Sequence, residues 1–284
     1  MSEAMAVDPV IAAMPRGGPD ASWLDRRLQT DVLEYTDRYD IPDEVKQTVI
    51  SALDRMGARG SQHERNARLA LELVADTVNP RILELGAGHG KLSAKILELH
   101  PTATVTISDL DPTSVANIAA GELGANPRAR TQVVDATAIN AADDTYDLVV
   151  FAMAFHHLPP ASAARTIAEA TRVGHRFLVI DLKRPRPLGA MLLPLMAVPA
   201  AVAVAIRPAA RHVIHDGFIS MLRAYSHSAL VALGKAADPQ MGIEVLPSPR
   251  RLGLGPRPVI MLFCRPDTTP AAVRRVEPMD TAPS

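Results

Sequence analysis

The sequence predicts an α/β fold built on a doubly wound, mostly parallel sheet with helices on both faces. Three observations carry this. Short, mostly apolar runs recur between residues 81 and 181. Helical stretches separate several of them, so the chain crosses over and the strands pair in parallel. The first run, in RILELGAGHGKLS (Arg81–Ser93), feeds into glycines at every second position, Gly86, Gly88 and Gly90, and then into a helix. Strand, tight turn and helix N-terminus together can hold a nucleotide-like ligand.

The bulk properties narrow the field. A chain of 284 residues with 48% apolar residues suits one large domain, or a core with an accessory part. Thirty basic residues face 31 acidic ones, so no basic surface calls for nucleic acid. The single cysteine, Cys264, excludes an internal disulfide. The N-terminus lacks a basic start followed by an apolar segment, so a secretory leader is not expected and a cytoplasmic protein is. One stretch complicates this. Residues 188–206, LGAMLLPLMAVPAAVAVAI, carry no charge, and that length just reaches across a bilayer. A span there would split the sheet domain. A buried or lid-like helical segment is the first reading, and a surface contacting lipid or an apolar ligand, with membrane association, is the second.

Taken in order, residues 1–19 mix Gly, Pro and small residues and are expected to form a disordered arm. Residues 20–78 are expected to form a helical cap. Leu24, Leu28, Val32 and Tyr35 have amphipathic spacing, which predicts a helix over Trp23–Tyr39. Pro42 suits the first turn of a second helix to about Met56. Ser61 with Glu64 reads as a capping box opening a third, through Thr77. Five strands follow at Ile82–Leu85, Val105–Ser108, Thr131–Val134, Leu148–Phe151 and Phe177–Ile180. Helices are expected at Lys91–His100, Thr113–Gly121 and Ser162–Val173. Gly242–Leu246 and Val259–Phe263 read as two late strands, joined too tightly for a crossover helix and so antiparallel. Ser226 is placed as N-cap of a helix to about Ala237. The main domain runs 79–265 with an insertion at 184–228, and 266–284 is expected to be a mobile tail.

The ligand end is acidic. Asp109 ends the second strand and can accept hydrogen bonds from two ribose hydroxyls. Asp111 suits a helix cap ahead of Pro112. Asp135 closes the third strand. These groups converge on the carboxyl edge of the sheet, where ligands bind in this architecture. A dinucleotide site is one reading, but the spacing is GAGHG, not GxGxxG, and Glu84 precedes the turn. A carboxylate there serves an ammonium better than a pyrophosphate, which favours a cofactor with a cationic amino-acid end.

ILELGAGHG, with the later SDLDP, VVDATAI and YDLVVFAMAFHHL in order, resembles the first four motifs of class I S-adenosylmethionine-dependent methyltransferases, of the bacterial small-molecule type. The resemblance covers roughly residues 69–180. It implies a Rossmann-like sheet of seven strands, the late pair supplying the sixth and the antiparallel seventh. It also implies S-adenosylmethionine as cofactor, with Gly86, Ala87, Gly88 and Gly90 wrapping the methionine portion and Glu84 positioning its amino group. Asp109 would bind the ribose hydroxyls, Leu110 would lie against adenine, and Asp135 and Ala136 would contact the adenine edge. His89 receives no chemical role.

Methyl transfer from a sulfonium is an in-line displacement, and a hydroxyl acceptor benefits from a base. In FAMAFHHLPP, His156 is the candidate base; His157 orients the following turn or meets the substrate. The insertion resembles, more loosely, that of small-molecule relatives, with a long apolar segment beside polar groups. There Arg223 is a candidate for an acidic or phenolate oxygen and Tyr225 for a substrate ring or hydrogen bond. The alternative is that Asp216, Arg223 and Tyr225 fix the insertion to the core. No metal-ligand spacing of Cys and His is present, and no metal is expected. The leading function is an O-methyltransferase acting on a small apolar, aromatic or lipid-like molecule, with a homodimer left open. A cofactor-binding scaffold without catalysis and an NAD-dependent oxidoreductase are the alternatives.

Overall fold

The computed structural model describes residues 8–186, 199, 210–248 and 258–266. Seven strands form one sheet in the order β3-β2-β1-β4-β5-β7-β6. They are β1 Arg81–Leu85, β2 Thr104–Asp109, β3 Ala129–Val133, β4 Leu148–Ala152, β5 Phe177–Leu182, β6 Gly242–Val245 and β7 Pro258–Cys264. The first five pair in parallel, and β7 runs antiparallel to both β5 and β6. The Rossmann-like sheet is therefore present, with the late pair antiparallel as expected. Chain order reverses between β1 and β4, which opens a crevice beyond their carboxyl ends.

Side-chain alternation along the strands builds two cores. Leu83, Leu85, Val149, Phe151, Phe177 and Val179 face one side, against α7 (Pro160–Val173) and α9 (His227–Ala237). Ile82, Val105, Ile107, Leu148 and Val150 face the other, against α4 (Gln62–Glu72) and α5 (Lys91–Leu99). Phe155, Phe177 and Phe263 are fully buried in the first core. Each stabilises the fold by about 1.5–3 kcal/mol relative to exposure. Glu84 lies between Leu83 and Leu85 and so points to the second side, towards α5.

The N-terminal region departs from expectation in three ways. The predicted helix over 23–39 forms only as α2, Trp23–Arg27, capped by Ser22. Beyond it Val32 and Leu33 are half exposed, Glu34 is 2% exposed, and Tyr35–Asp37 make a single 3-10 turn. The cause is tertiary. The buried Asp216 carboxylate accepts from Tyr35 N (2.8 Å) and Thr36 N (3.4 Å), replacing the bonds a helix would supply. The capping box at Ser61 is also absent: Ser61 takes a left-handed conformation with no side-chain cap, and Glu64 pairs with Arg68 instead. The helix before it, α3 Asp43–Arg59, is present with Pro42 at its N-cap.

The expected disordered arm is packed from residue 8 onward. It contains α1 (Pro9–Ala12), Met14 joins the first core, and Arg16 is buried. Arg16 donates to the carbonyls of His156 (2.8 Å) and Arg223 (2.6 Å). Arg184 donates to those of Leu222 and Ala224 while pairing with Asp25. The helix α8, Ala210–Arg223, thus has its terminal carbonyls satisfied by two buried cations. Ser226 caps α9 as expected, accepting from Ala229 N at 3.1 Å. Of the apolar stretch 188–206 only Pro199 is described, so its lid, burial and lipid readings fall outside the described residues, as does the expected tail from 267. Among the described residues no helix is long and apolar enough to cross a membrane.

Candidate functional site

One large cavity of about 2960 Å³ opens at the crevice between β1 and β4. That exceeds the roughly 300–1,000 Å³ of a single small-ligand pocket, so there is room for two ligands. Its lining divides into two ends.

The first end is the glycine loop and the strand ends beside it. Gly86, Gly88 and Gly90 all have positive φ, at 61°, 57° and 69°. A Cβ at Gly86 would lie 2.6 Å from the Phe151 ring, and one at Gly90 would lie 2.7 Å from Leu123 Cδ1. Only glycine fits this loop without strain. Glu84, Gly86, Ala87, Gly88, Asp109, Leu110, Asp135 and Ala136 line the cavity together. Gly90 does not: it is the N-cap of α5 and shapes the loop from behind. Glu84 is fully enclosed and accepts from Ser93 N (3.0 Å) and Ser93 Oγ. Burial lifts its pKa to about 7, against the downward pull of the Ser93 bonds. Asp109 accepts from Gly88 N (2.8 Å) and Asp111 N (3.0 Å), and burial raises its pKa as well. Asp111 caps α6, Pro112–Ala120, as expected. Asp135 is exposed beyond the end of β3 and accepts from Thr137 N and Oγ1. Leu110 is 57% exposed and offers an apolar side chain to the cavity.

His89 lies within this loop with a structural task. Its ring nitrogens meet Asp54 Oδ2 (2.7 Å) and Gln47 Oε1 (2.8 Å), both on α3. The helical cap is clasped to the loop and supplies Ile50, Leu53 and Met56 to the cavity wall. Gln62, His63, Arg65 and Asn66, at the start of α4, line it too.

The second end is assembled around the histidine pair, in a 3-10 turn, Phe155–His157, after β4. His156 is 2% exposed. Its backbone N and its Nδ1 both bind Asp181, each at 2.7 Å. Its Nε2 stands 3.4 Å from Glu34 Oε1. Burial by itself would lower its pKa, but Asp181 and Glu34 carry it up to about 10. His157 Nδ1 meets Asp37 Oδ1 at 2.7 Å, and its Nε2 lies 3.7 Å from Glu34 Oε2. Asp37, despite burial, is held down to about 2 by His157 and Arg223. Glu34 is likewise lowered against its own burial by the two histidines and Ser220. Glu34, Asp37, His156 and His157 all line the cavity.

Three expectations change here. His156 is not a free base: it is enclosed between two carboxylates, Asp181 at Nδ1 and Glu34 facing Nε2, which raise its pKa. Arg223 is not aimed at a ligand: it binds Asp37 Oδ2 (2.6 Å) and the His157 carbonyl, and lies outside the cavity lining. Tyr225 is 3% exposed, donates to the Leu158 carbonyl at 2.7 Å, and packs on Phe155. These residues fix the insertion to the core, the alternative that sequence reading left open. Asp216 does the same through the Tyr35–Asp37 turn, and Ser220 Oγ donates to Glu34 Oε2 at 2.8 Å. Glu34 and Asp37 were missed as site residues. As acidic positions in an apparent amphipathic helix they read as a solvated face, and no local pattern links them to histidines over a hundred residues away.

Comparison with known proteins adds the following. Residues 82–175 match a family model described as a methyltransferase domain. Over 107 residues the chain is 36% identical to a malonyl-[acyl-carrier protein] O-methyltransferase of Geobacter sulfurreducens; the match covers 37% of this chain and 39% of that relative. Among solved structures, the plantazolicin methyltransferase BamL with a triazolic analogue and SAH aligns at TM-score 0.58 and 10% identity, over 80% of this chain and 92% of that one. The plantazolicin methyltransferase BpumL with a pentazolic analogue and SAH aligns at 0.56 and 12%, over 80% and 93%. At such identities these two likenesses establish the fold.

Proposed function

We propose that this chain, whose residues 82–175 match a methyltransferase-domain model, is a class I S-adenosylmethionine-dependent methyltransferase of the bacterial small-molecule type that transfers a methyl group from S-adenosylmethionine to a small molecule, at oxygen. The observation that carries this is the division of one cavity into an end where the Glu84 and Asp109 carboxylates flank the glycine loop and a histidine-bearing end. Glu84 is a buried and Asp109 a partly buried carboxylate, and their protein partners are Ser93 and backbone N–H groups. Each retains lone pairs for further donors. Such a lining fits a ligand carrying an ammonium and hydroxyls, and it fits a pyrophosphate badly.

When bound, the cofactor supplies an electrophilic methyl on its sulfonium. The left-handed glycines would bring backbone close to its amino-acid end, Glu84 would hold its ammonium, Asp109 its ribose hydroxyls, and Leu110 with Ala136 would lie against its base. The cap held by His89 would limit water access to that end once the cofactor is bound. Glu34, His156 and His157 form the polar end at which an acceptor hydroxyl would be oriented, with the unpartnered Glu34 Oε1 as the atom that would receive its proton. Oxygen as the methylated atom is favoured by this polar cluster and by the malonyl-carrier O-methyltransferase relative.

Glu84 supplies the test. Its carboxyl is protonated below about pH 7 in the free protein, so binding an ammonium beside it must expel a proton. Affinity for S-adenosylmethionine should therefore rise with pH towards 7, by up to about tenfold per unit, and then level off. Titration calorimetry on the full chain from pH 5.5 to 7 measures this. Glu84→Gln should bind more weakly with a flat profile over the same range. A wild type that fails to bind S-adenosylmethionine but binds a nicotinamide dinucleotide would overturn the proposal.

A further inference from the structure

We propose that Glu34, His156 and His157 hold a divalent transition-metal ion at the histidine end of the cavity. The three side chains come from two distant segments and place their donor atoms within 4.8 Å of one another. Both imidazoles are engaged at Nδ1 by a carboxylate, His156 by Asp181 and His157 by Asp37, each at 2.7 Å. A carboxylate at Nδ1 fixes the proton there and turns the Nε2 lone pair outward, the outer-shell arrangement of metal-binding histidines. Both Nε2 atoms face the same group: they lie 3.4 and 3.7 Å from the two oxygens of Glu34. Ligands about 2.0–2.1 Å from a tetrahedral ion are roughly 3.3–3.4 Å apart, so these separations suit a shared ion. They are too long for good hydrogen bonds.

The burial points the same way. Glu34 and His156 are each 2% exposed, and Glu34 Oε1 and His156 Nε2 have no hydrogen-bond partner. Two facing buried polar atoms left without partners are costly unless something bridges them. Ser220 Oγ steadies the other Glu34 oxygen. Two imidazoles and one carboxylate suit Zn(II), Fe(II), Co(II) or Mn(II) better than the all-oxygen preference of Ca(II) or Mg(II). Three protein ligands leave coordination positions open, and all three residues line the cavity. If the methyl-transfer reading holds, on which this last step rests, the ion acts as a Lewis acid on the acceptor.

The test uses the full chain, stripped with chelator and titrated with Co(II) alone while the visible ligand-field bands are recorded, then displaced with Zn(II). One equivalent should bind with bands of a nitrogen–oxygen site. His157→Ala, at the more accessible ligand, should weaken binding at least a hundredfold. Asp37→Asn should weaken it about 10–100-fold through the outer shell. Glu34→Gln is the near-isosteric companion and should lose binding while melting cooperatively; if it fails to fold, His157→Ala decides. Absence of the bands, or unchanged binding in His157→Ala, overturns the site. S-Adenosylmethionine affinity measured on the same samples separates the two ideas. Cofactor binding without cobalt binding sinks the metal site and leaves methyl transfer standing. Cobalt binding without cofactor binding does the reverse.

Discussion

The two ends of the cavity are built differently. The glycine loop and the two carboxylates beside it, Glu84 and Asp109, come from Glu84–Asp111, one strand–turn–helix–strand unit. Its carboxylates are held by nearby backbone and by Ser93. The histidine end gathers Glu34 and Asp37, the His156–His157 pair, Asp181, and Asp216 to Arg223. Those groups come from four separate segments: 34–37, the 156–157 pair, Asp181 on β5, and α8. The first end should tolerate changes elsewhere in the chain, whereas the second should fail whenever one of its distant supports is removed.

Removing Asp216 tests that dependence with the largest expected effect. Asp216→Ala leaves two backbone N–H groups of the Glu34–Asp37 segment without their acceptor, costing about 1–3 kcal/mol for each group left buried and unpaired. A lower denaturant midpoint and a reduced methyl-transfer rate are expected, with S-adenosylmethionine affinity within about twofold of wild type. A large loss of cofactor affinity would break the separation between the ends. Next is Asp109→Ala, which should weaken cofactor binding by about 1–3 kcal/mol, read by calorimetry, while leaving the histidine cluster intact. Unchanged affinity would remove Asp109 from the cofactor site. The smallest effect belongs to His89→Ala. Loss of its contacts to Asp54 and Gln47 should cost about 0.5–1.5 kcal/mol of stability and raise amide exchange in residues 43–59. Unchanged exchange there would mean that the cap is held elsewhere.

Much of the architecture was legible because its signals are local. Every strand lies within a residue or two of its expected bounds, and β1, β4, β5 and β7, buried on both faces, stand out as apolar runs from their surroundings. The caps at Asp111 and Ser226 were legible for the same reason: a side chain bonding two or three residues ahead needs no tertiary partner. The helix over 23–39 was misread because its periodicity is real but unused, with Val32 and Leu33 half exposed while Glu34 is buried. Arg223 and Tyr225 were rightly singled out as unusual polar groups beside apolar sequence. Composition shows that such groups need partners, and it does not show which way they turn.

The nature of the loop at Gly86–Gly90 and the acid that precedes it follow from the chain alone, because left-handed backbone and strand alternation are set by neighbouring residues. Whether a carboxylate such as Glu34 faces water or two histidines is decided only when segments 120 residues apart pack together. Burial then sets its charge, its partners and its chemistry, and burial is a property of the assembled fold.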